Sequence, residues 1–233
     1  MDGTLTHGHQ RSTGTVVIRT TAHALGNVLL GLALGMAAYY GITDLAAKWD
    51  QRELREDLGA IALVKPPGSG DAVAGPVLDF TGYEEQDVAY WDGQAEGEAF
   101  ARLIIEDIEL DTLVVKGHSR SALKRGAGWI DYTDLPGPTG NCGIAGHRTT
   151  YGAPFRRIDE LDAGDTIDLY SPFRRYRYRV TEAFRVTPDR VDVMATTDDA
   201  VLTLSACDPP YSARYRLIVR GELTEVTRLS VPR

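Results

Sequence analysis

The sequence predicts a mainly β domain, either a sandwich or a closed barrel, preceded by one transmembrane helix. From residue 100 onward the chain carries short apolar runs separated by turn residues, a pattern typical of all-β folds. An uncharged apolar run at residues 25–42 comes before them. The length of 233 residues suits one sizeable domain with attachments better than two full domains.

Short apolar runs account for most of the predicted domain. The strands are predicted at residues 101–105, 112–115, 140–146, 166–170, 176–184, 190–193, 200–206 and 217–223. Residues 121–125 and 155–161 lie between them and are predicted as short helices. Basic and aromatic residues alternate over residues 173–179, which predicts a solvated surface strand there.

The run at residues 25–42 contains no charged side chain. At 1.5 Å per helical residue it spans roughly 27 Å, just enough to cross the hydrocarbon core of a bilayer. Arg11 and Arg19 lie before the run, and acidic residues follow it from Asp44 onward. Because basic residues are enriched on the cytoplasmic side, we expect a cytoplasmic N-terminus and an extracytoplasmic main domain.

Two alternatives to an uncleaved anchor are a cleaved signal peptide and a buried core helix. The apolar region of a signal peptide is usually shorter than this run. An anchor and a signal peptide both place the main domain outside the cytosol.

The domain organisation follows from these features. We predict a cytoplasmic tail at residues 1–21, a transmembrane signal-anchor helix at 22–43, an extracytoplasmic helix and linker at 44–97, and the main domain at 98–233. Within the third segment, residues 65–76 are rich in Pro, Gly and Ser, as linkers are.

Composition argues against two function classes. The formal net charge of −8 disfavours general nucleic-acid binding, which needs a basic face. The chain has two cysteines and five scattered histidines, with no CxxC or HxxxH spacing. We therefore predict no metal site and no cofactor.

Cys207 ends a strand-like run, and side-chain alternation assigns it to a face. Because successive strand residues point to opposite faces, the run divides into an apolar set and a more polar set. The apolar set is Leu202, Leu204 and Ala206, and the second set is Val201, Thr203, Ser205 and Cys207. Cys207 could in principle be a core residue, half of a disulfide, a metal ligand or a nucleophile. Its position on the polar face weakens the first of these.

His147 and two arginines could complete a site around this cysteine. His147 follows a run of small residues and opens into a loop, a common place for exposed chemistry. Arg214 and Arg216 share one face at the start of the last strand-like run. A thiol, an imidazole and a guanidinium can supply a nucleophile, a proton donor and an oxyanion partner.

A disulfide between Cys142 and Cys207 is disfavoured by the expected strand offset. If the two strands are parallel neighbours with Cys207 beside His147, Cys142 lies five residues back along its strand, at roughly 16 Å. Bridged cysteines have Cα atoms within about 7 Å. We therefore interpret Cys142 as a small packing residue.

Several motifs, in order and spacing, resemble the sortase family. They are GIAGHRTTYGAPF at residues 143–155, TLSAC at 203–207 and ARYRLIV at 213–219. The resemblance covers roughly residues 98–229 and looks most like the class E sortases of actinobacteria.

The resemblance implies an extracytoplasmic cysteine transpeptidase built on an eight-stranded β-barrel. Such enzymes cleave a C-terminal sorting signal between Thr and Gly, hold the acyl group as a thioester and pass it to an amine. The family's catalytic cysteine, histidine and arginine map to Cys207, His147 and Arg216, with Arg214 as the alternative arginine. In the family pattern a threonine precedes the cysteine, whereas this chain has Ala206. By alternation that side chain points away from Cys207.

The resemblance also implies partners. These are secreted proteins with an LAxTG-type or LPxTG-type signal, and an acceptor amine on a peptidoglycan precursor or a pilin lysine. Ala145, Thr203 and Ser205 share faces with the predicted catalytic residues, so we expect them in the substrate groove. A thiol peptide hydrolase without transfer, and a catalytically weak wall-binding β-barrel, are the alternative functions.

Overall fold

A computed structural model describes the backbone of residues 13–58 and 77–229, with side chains at 23–56 and 77–229. The first twelve residues of the predicted tail and the predicted linker at 65–76 lie outside the described residues. The chain divides into two compact units, one ending at Ile42 and one beginning at Thr43.

One long helix, α1, spans Thr13–Leu58. Its portion His23–Glu56 is long and apolar enough to cross a membrane, and none of its most apolar window is buried within the residues that the structure describes. Leu25, Leu29 and Leu32 are each about three-fifths exposed. The helix is thus a candidate transmembrane helix, as the uncharged run predicts.

Eight strands form a closed barrel in the order β1-β2-β3-β4-β7-β8-β6-β5. They are β1 (Ala99–Ile105), β2 (Leu110–Lys116), β3 (Ala127–Trp129), β4 (Gly140–Gly146), β5 (Thr166–Tyr170), β6 (Arg174–Val186), β7 (Ala200–Asp208) and β8 (Tyr215–Arg228). The β2–β3 and β4–β7 pairs are parallel, and the other pairs are antiparallel. This confirms the prediction of a mainly β, eight-stranded barrel. Closure removes the open edges that a sheet would otherwise expose.

Short helices connect the strands and precede the barrel. They are the π-helix Glu84–Val88, α2 (Ala89–Gly93), the 3-10 helix Glu106–Ile108, α3 (Ala122–Arg125), and the 3-10 helices Ile158–Glu160 and Val191–Met194. The strand predicted at residues 190–193 is wrong, because this segment is the last of these helices. Its Val193 and Met194 pack onto Ile218 on the outside of the barrel. The apolar residues of this segment therefore cover part of the outer surface of the barrel and do not form a strand.

The barrel interior is the main core. Leu202, Leu204 and Ala206 lie in it, as side-chain alternation predicts, and so does Cys142. Aromatic stacking strengthens it, since the rings of Phe100 and Trp129 are stacked with centroids 5.1 Å apart. The inner face of β7 is therefore fixed by burial, which directs the alternate residues outward.

Residues before the barrel pack against it, Leu54 in a separate outer cluster and Trp91 in the main core. Leu54 of α1 is fully buried. Gln51 donates through Nε2 to the Arg125 carbonyl at 2.8 Å and accepts the Leu113 N–H through Oε1 at 2.8 Å. Trp91 is fully buried and donates its indole N–H to the Phe100 carbonyl. The α1 residues from Thr43 onward thus belong to the same compact unit as the barrel.

The prediction of a solvated surface strand at residues 173–179 is wrong. Strand β6 lies between β5 and β8, and Arg174 is fully buried in an ion pair with the buried carboxylate of Asp87. Arg175 is also buried and pairs with Glu225. Burial of these guanidinium groups is possible because carboxylates from neighbouring segments compensate their charge.

Candidate active site

Cys207 is the penultimate residue of β7, and its side chain projects from the outer face of the barrel. Ala206, its neighbour, is in the core, and Cys207 is a half-buried free thiol. The substitution of Ala206 for the threonine of the family pattern thus falls on the inner face, away from the thiol. Cys207 is neither a core residue nor a disulfide partner.

Arg216 lies directly across from Cys207. The two are Cα partners in the antiparallel pairing of β7 with β8, so their side chains leave the same face. Arg216 is half-buried, and its Nη1 donates to the carbonyls of Ala213 and Tyr215. Arg214 precedes β8, is exposed and lies over the Tyr215 ring at 5.2 Å from its centroid. The register therefore favours Arg216 over Arg214 as the partner of the thiol.

His147 follows the last residue of β4. Strand β4 pairs with β7 in parallel, and the final pair in the register is Gly146 with Ala206. The residue that follows this pair is His147 after β4 and Cys207 in β7. Because neighbouring strands lie about 4.8 Å apart, the imidazole and the thiol begin from adjacent backbone positions.

The surroundings of His147 affect its protonation. The imidazole is half-buried, and its ring centroid is 5.3 Å from that of Tyr151. Burial lowers the pKa of His147 from its ordinary value, because the charged imidazolium loses hydration. The free protein therefore favours the neutral imidazole near neutral pH.

The backbone around His147 is held by Phe155. The Phe155 N–H donates to the His147 carbonyl at 3.0 Å, which folds the intervening loop back on itself. The Phe155 ring also lies against Gly146, where a Cβ atom would approach the ring within 2.6 Å. Glycine is thus required at position 146 by this close approach.

The predicted groove residues occupy different environments. Ala145 and Ser205 are Cα partners on β4 and β7, and Ala145 packs at the edge of the small apolar cluster on the outer face. Thr203 is fully buried, and its hydroxyl is already bonded to Asn141 Oδ1 at 2.7 Å. A groove role for Ala145 and Ser205 stays a prediction, whereas the Thr203 hydroxyl is engaged within the fold.

Asn141 fastens the connection between β6 and β7 to the barrel. Its amide Nδ2 donates to the carbonyls of Val193 and Ala195, each at 3.1 Å. Arg220 Nη2 donates to the same Val193 carbonyl at 3.0 Å. These bonds hold the 3-10 helix Val191–Met194 as a wall beside the outer face of β7.

Two further charged residues lie beside the site. Arg148 follows His147, Asp208 follows Cys207, and their side chains form a buried ion pair with Nη1 and Oδ1 2.5 Å apart. Our sequence reasoning missed this pair, as it missed Asn141. The available signal was two opposite charges at the same offset from the two predicted catalytic residues.

Cys142 lies far from this site along its strand. It is the Cα partner of Leu202, five residues before Cys207, and it is a free thiol in the core. Burial raises the pKa of the Cys142 thiol well above its ordinary value. Among the side chains at 23–56 and 77–229, no group of three or more His, Cys, Asp and Glu residues is arranged to hold a metal ion.

The arrangement brings three chemically complementary groups to one end of the β4–β7–β8 surface. Cys207 and Arg216 share the outer face, His147 follows the β4 residue that pairs with Ala206, and the cluster of Ile130, Val193, Met194 and Ile218 lies on the same face of the barrel. Such a set can attack a carbonyl carbon, move a proton and bind a developing oxyanion.

Comparisons with known proteins agree with this geometry. The family model described as the Sortase domain matches residues 103–224. Sortase SrtE1 of Streptomyces coelicolor is 31% identical over 147 residues, covering 55% of this chain and 41% of that protein. Sortase A of Bacillus anthracis is 31% identical over 127 residues, covering 54% of this chain and 60% of that protein. The chain thus spans about half the length of the curated relatives it matches.

Solved structures show the same fold. Sortase E1 of Streptomyces coelicolor, crystallised with a tripeptide in the active site, matches with a TM-score of 0.54 and 30% identity, covering 58% of this chain and 94% of that chain. The Clostridium perfringens sortase D5 transpeptidase matches with a TM-score of 0.59 and 24% identity, covering 75% of this chain and 98% of that chain. The second likeness concerns the fold alone.

Proposed function

Because this chain belongs to the sortase family, we propose that it is a membrane-anchored cysteine transpeptidase acting on C-terminal sorting signals. The observation that carries the proposal is the register at the end of β7. On the β8 side, Arg216 is the Cα partner of Cys207. On the β4 side, Gly146 pairs with Ala206, and the next residues along the two strands are His147 and Cys207.

In the first half of the reaction, the Cys207 sulfur attacks the carbonyl carbon of the threonine in a Thr–Gly bond. The thiol proton passes to His147, and the imidazolium gives it to the glycine nitrogen as the C–N bond breaks. The glycine product leaves with a free amine, and the acyl group stays on Cys207 as a thioester.

In the second half, an acceptor amine attacks the thioester carbon. Neutral His147 takes a proton from the amine and returns it to the departing sulfur, which restores the thiol. The lowered pKa of His147 suits this step, because the neutral form is the one that accepts a proton.

Arg216 binds the oxyanion that develops on the threonine carbonyl, or orients the peptide through it. Arginine suits this role because its charge is permanent and its donors form a planar fork. The two backbone carbonyls that Arg216 Nη1 contacts hold the guanidinium near the loop before β8.

The substrates we propose are secreted proteins with an LAxTG-type signal, with LPxTG as the alternative. The acceptor is an amine of a peptidoglycan precursor, or a pilin lysine. The likeness to a sortase E1 whose structure holds a tripeptide in the active site supports a peptide substrate. The site residues in this account are Cys207, His147 and Arg216.

The proposed location is the cell membrane, with the barrel on the extracytoplasmic side. The candidate transmembrane helix supports a single-pass anchor. Arg11 and Arg19 before the apolar run favour a cytoplasmic N-terminus by the positive-inside rule. Domain bounds of 1–21, 22–43, 44–97 and 98–233 belong to the same proposal.

The test uses the full chain in detergent micelles with fluorogenic LAxTG and LPxTG peptides, with and without triglycine as the amine. Release of the glycine product together with an acyl–triglycine adduct supports the transpeptidase. If the glycine product is released at a rate that triglycine does not change, and no acyl–triglycine adduct forms, the protein is a hydrolase. Absence of cleavage with both peptides favours a wall-binding barrel.

The Cys207→Ala variant sharpens this test. We expect it to bind the peptide and to release no product, while Cys142→Ala, which changes only a core thiol, keeps turnover. Intact-mass measurement of an acyl group on Cys207 gives a direct readout. Turnover by Cys207→Ala at the wild-type rate would refute the nucleophile assignment.

A further inference from the structure

We propose that Arg148 and Asp208 form a clamp that sets the position of His147 beside Cys207. The two are positioning residues for the reaction proposed above, and the inference rests on that function for its catalytic consequence. They contact neither the thiol nor a substrate in this account, and they act through the backbone segments that carry the catalytic groups.

The order of residues along β4 and β7 places the clamp directly after the predicted catalytic residues. Backbone pairing of β4 with β7 ends at Gly146 and Ala206. The predicted catalytic residues follow as His147 and Cys207. Immediately after them, the side chains of Arg148 and Asp208 form an ion pair that links the two segments again. The catalytic pair is thus enclosed between a backbone pairing and an ion pair.

The ion pair of the clamp is short and buried. Arg148 Nη1 and Asp208 Oδ1 are 2.5 Å apart, and both side chains are 2–3% exposed. An ion pair removed from water in this way is costly to break, because the buried partner that remains keeps only a solvent-exposed counter-charge, Asp159 for Arg148 or Arg185 for Asp208. An exposed pair would restrain the chain far less.

The clamp also reaches both ends of the loop after β4. Arg148 Nη2 is 2.5 Å from Asp159 Oδ1, and Asp159 lies in the 3-10 helix Ile158–Glu160 that follows the loop. Asp208 Oδ2 in turn is 2.5 Å from Arg185 Nε on β6. The four side chains alternate in charge, so two carboxylates balance two guanidinium groups.

Without the clamp, the loop that carries His147 is held less firmly. His147 lies outside the strands, and its carbonyl accepts a hydrogen bond from the Phe155 N–H. Loss of the Arg148–Asp208 pair disconnects the loop end that carries the imidazole from β7, although Arg148 keeps its contact with Asp159. Displacement of a catalytic group by about 1 Å can cost about 100-fold in rate, so the rate is the sensitive quantity.

The decisive experiment compares two matched variants of the full chain in micelles. Asp208→Asn removes the charge from the clamp, and Asp87→Asn removes it from the buried pair with Arg174. Arg174 is the Cα partner of Arg228, at the opposite end of β8 from Arg216. Both variants break a buried ion pair, but only the first lies at the site.

We expect Asp208→Asn to lower kcat by about 10- to 100-fold with a nearly unchanged KM, at a temperature where both variants are folded. Asp87→Asn lowers the melting temperature and leaves kcat near that of the wild type. Arg148→Met follows Asp208→Asn, and Arg148→Lys, which keeps the charge, recovers part of kcat.

A second readout does not depend on turnover. Hydrogen exchange of the backbone amides at residues 147–155 is expected to accelerate in Asp208→Asn and to stay unchanged in Asp87→Asn. This comparison tests the positioning itself, even where no peptide is cleaved.

The outcomes separate the two proposals. If the wild type forms no acyl-enzyme on Cys207, the proposed function fails, and the exchange comparison alone decides whether the clamp orders the loop. If the wild type turns over but Asp208→Asn loses no more kcat than Asp87→Asn, the clamp is overturned. Equal exchange at residues 147–155 in both variants overturns it as well.

Discussion

Cys207 and Arg216 are Cα partners in the antiparallel pairing of β7 with β8, so both side chains leave the outer face of the barrel at the same level. No such relationship holds for Arg214, which lies before β8 begins. Two residues of sequence therefore separate an arginine that faces the thiol from one that lies over the Tyr215 ring.

The first prediction distinguishes these two arginines. Arg216→Ala is expected to lower kcat/KM for the sorting peptide by about 100- to 1000-fold, the typical effect of losing an oxyanion partner. Arg214→Ala is expected to stay near the wild-type value, since its side chain is exposed. Steady-state kinetics of both variants provide the measurement. The assignment is reversed if Arg214→Ala shows the larger loss.

The second prediction concerns the two thiols. In the folded protein iodoacetamide is expected to modify Cys207, which is half-buried, and to spare Cys142, which is 1% exposed and has a raised pKa. Intact mass should rise by one adduct before unfolding and by two after unfolding in urea. The Cys207→Ala variant serves as the control and should gain an adduct only when unfolded. Rapid modification of Cys142 in the folded wild type would contradict the burial described for β4.

The third prediction concerns the titration of His147. Because burial disfavours the imidazolium, the pKa of His147 should lie below its ordinary value of about 6.5. The unfolded chain binds the proton more readily, so this residue's contribution to stability is present above the ordinary value and is lost as the pH falls below it.

Imidazole NMR of the wild type measures this titration, with His147→Gln to assign the signal. Comparing urea unfolding of the two proteins over the same pH range tests the linkage. A His147 midpoint at or above the ordinary value would contradict the effect of burial.

The fourth prediction tests the wall formed by the connection between β6 and β7. Thr203→Val removes the hydroxyl that donates to Asn141 Oδ1, and Asn141 holds the Val193 and Ala195 carbonyls. We expect a loss of about 1–3 kcal/mol in the free energy of unfolding and a rise in KM that exceeds the fall in kcat.

Thr224→Val is the matched control for this wall. It removes a hydroxyl that donates to the Arg177 carbonyl at 3.1 Å, away from the wall, at a residue that is half-buried where Thr203 is fully buried. A KM that rises equally in both variants would show that the wall does not depend on the Thr203–Asn141 bond.

Much of the site was predictable because strand alternation has a period of two. Leu202, Leu204 and Ala206 are apolar and require burial, so Cys207 had to face outward. The spacing of Cys142 from His147 likewise predicted that no bridge joins the cysteines, and the parallel register of β4 with β7 gives the reason. Local pattern determines these features because burial acts on each strand separately.

Other features were not predictable from local pattern. The segment at residues 190–193 reads as a strand but is a 3-10 helix, since its apolar side chains find partners on the outside of the barrel. The three-residue strand β3 is too short to show alternation. The burial of Arg174 depends on Asp87, which is 87 positions away in the chain.

The sequence by itself determined the membrane-length apolar helix, the β class, and the positions of Cys207 and His147 at two strand ends. Only the tertiary structure decided which arginine faces Cys207, what encloses the β4–β7 ends, and what covers the outer face. The physical reason is that register and ion pairing join residues far apart in sequence, and their energy depends on contacts formed only when the barrel closes. Arg148 and Asp208 show this most clearly, because each is an ordinary charged residue until the fold buries them together.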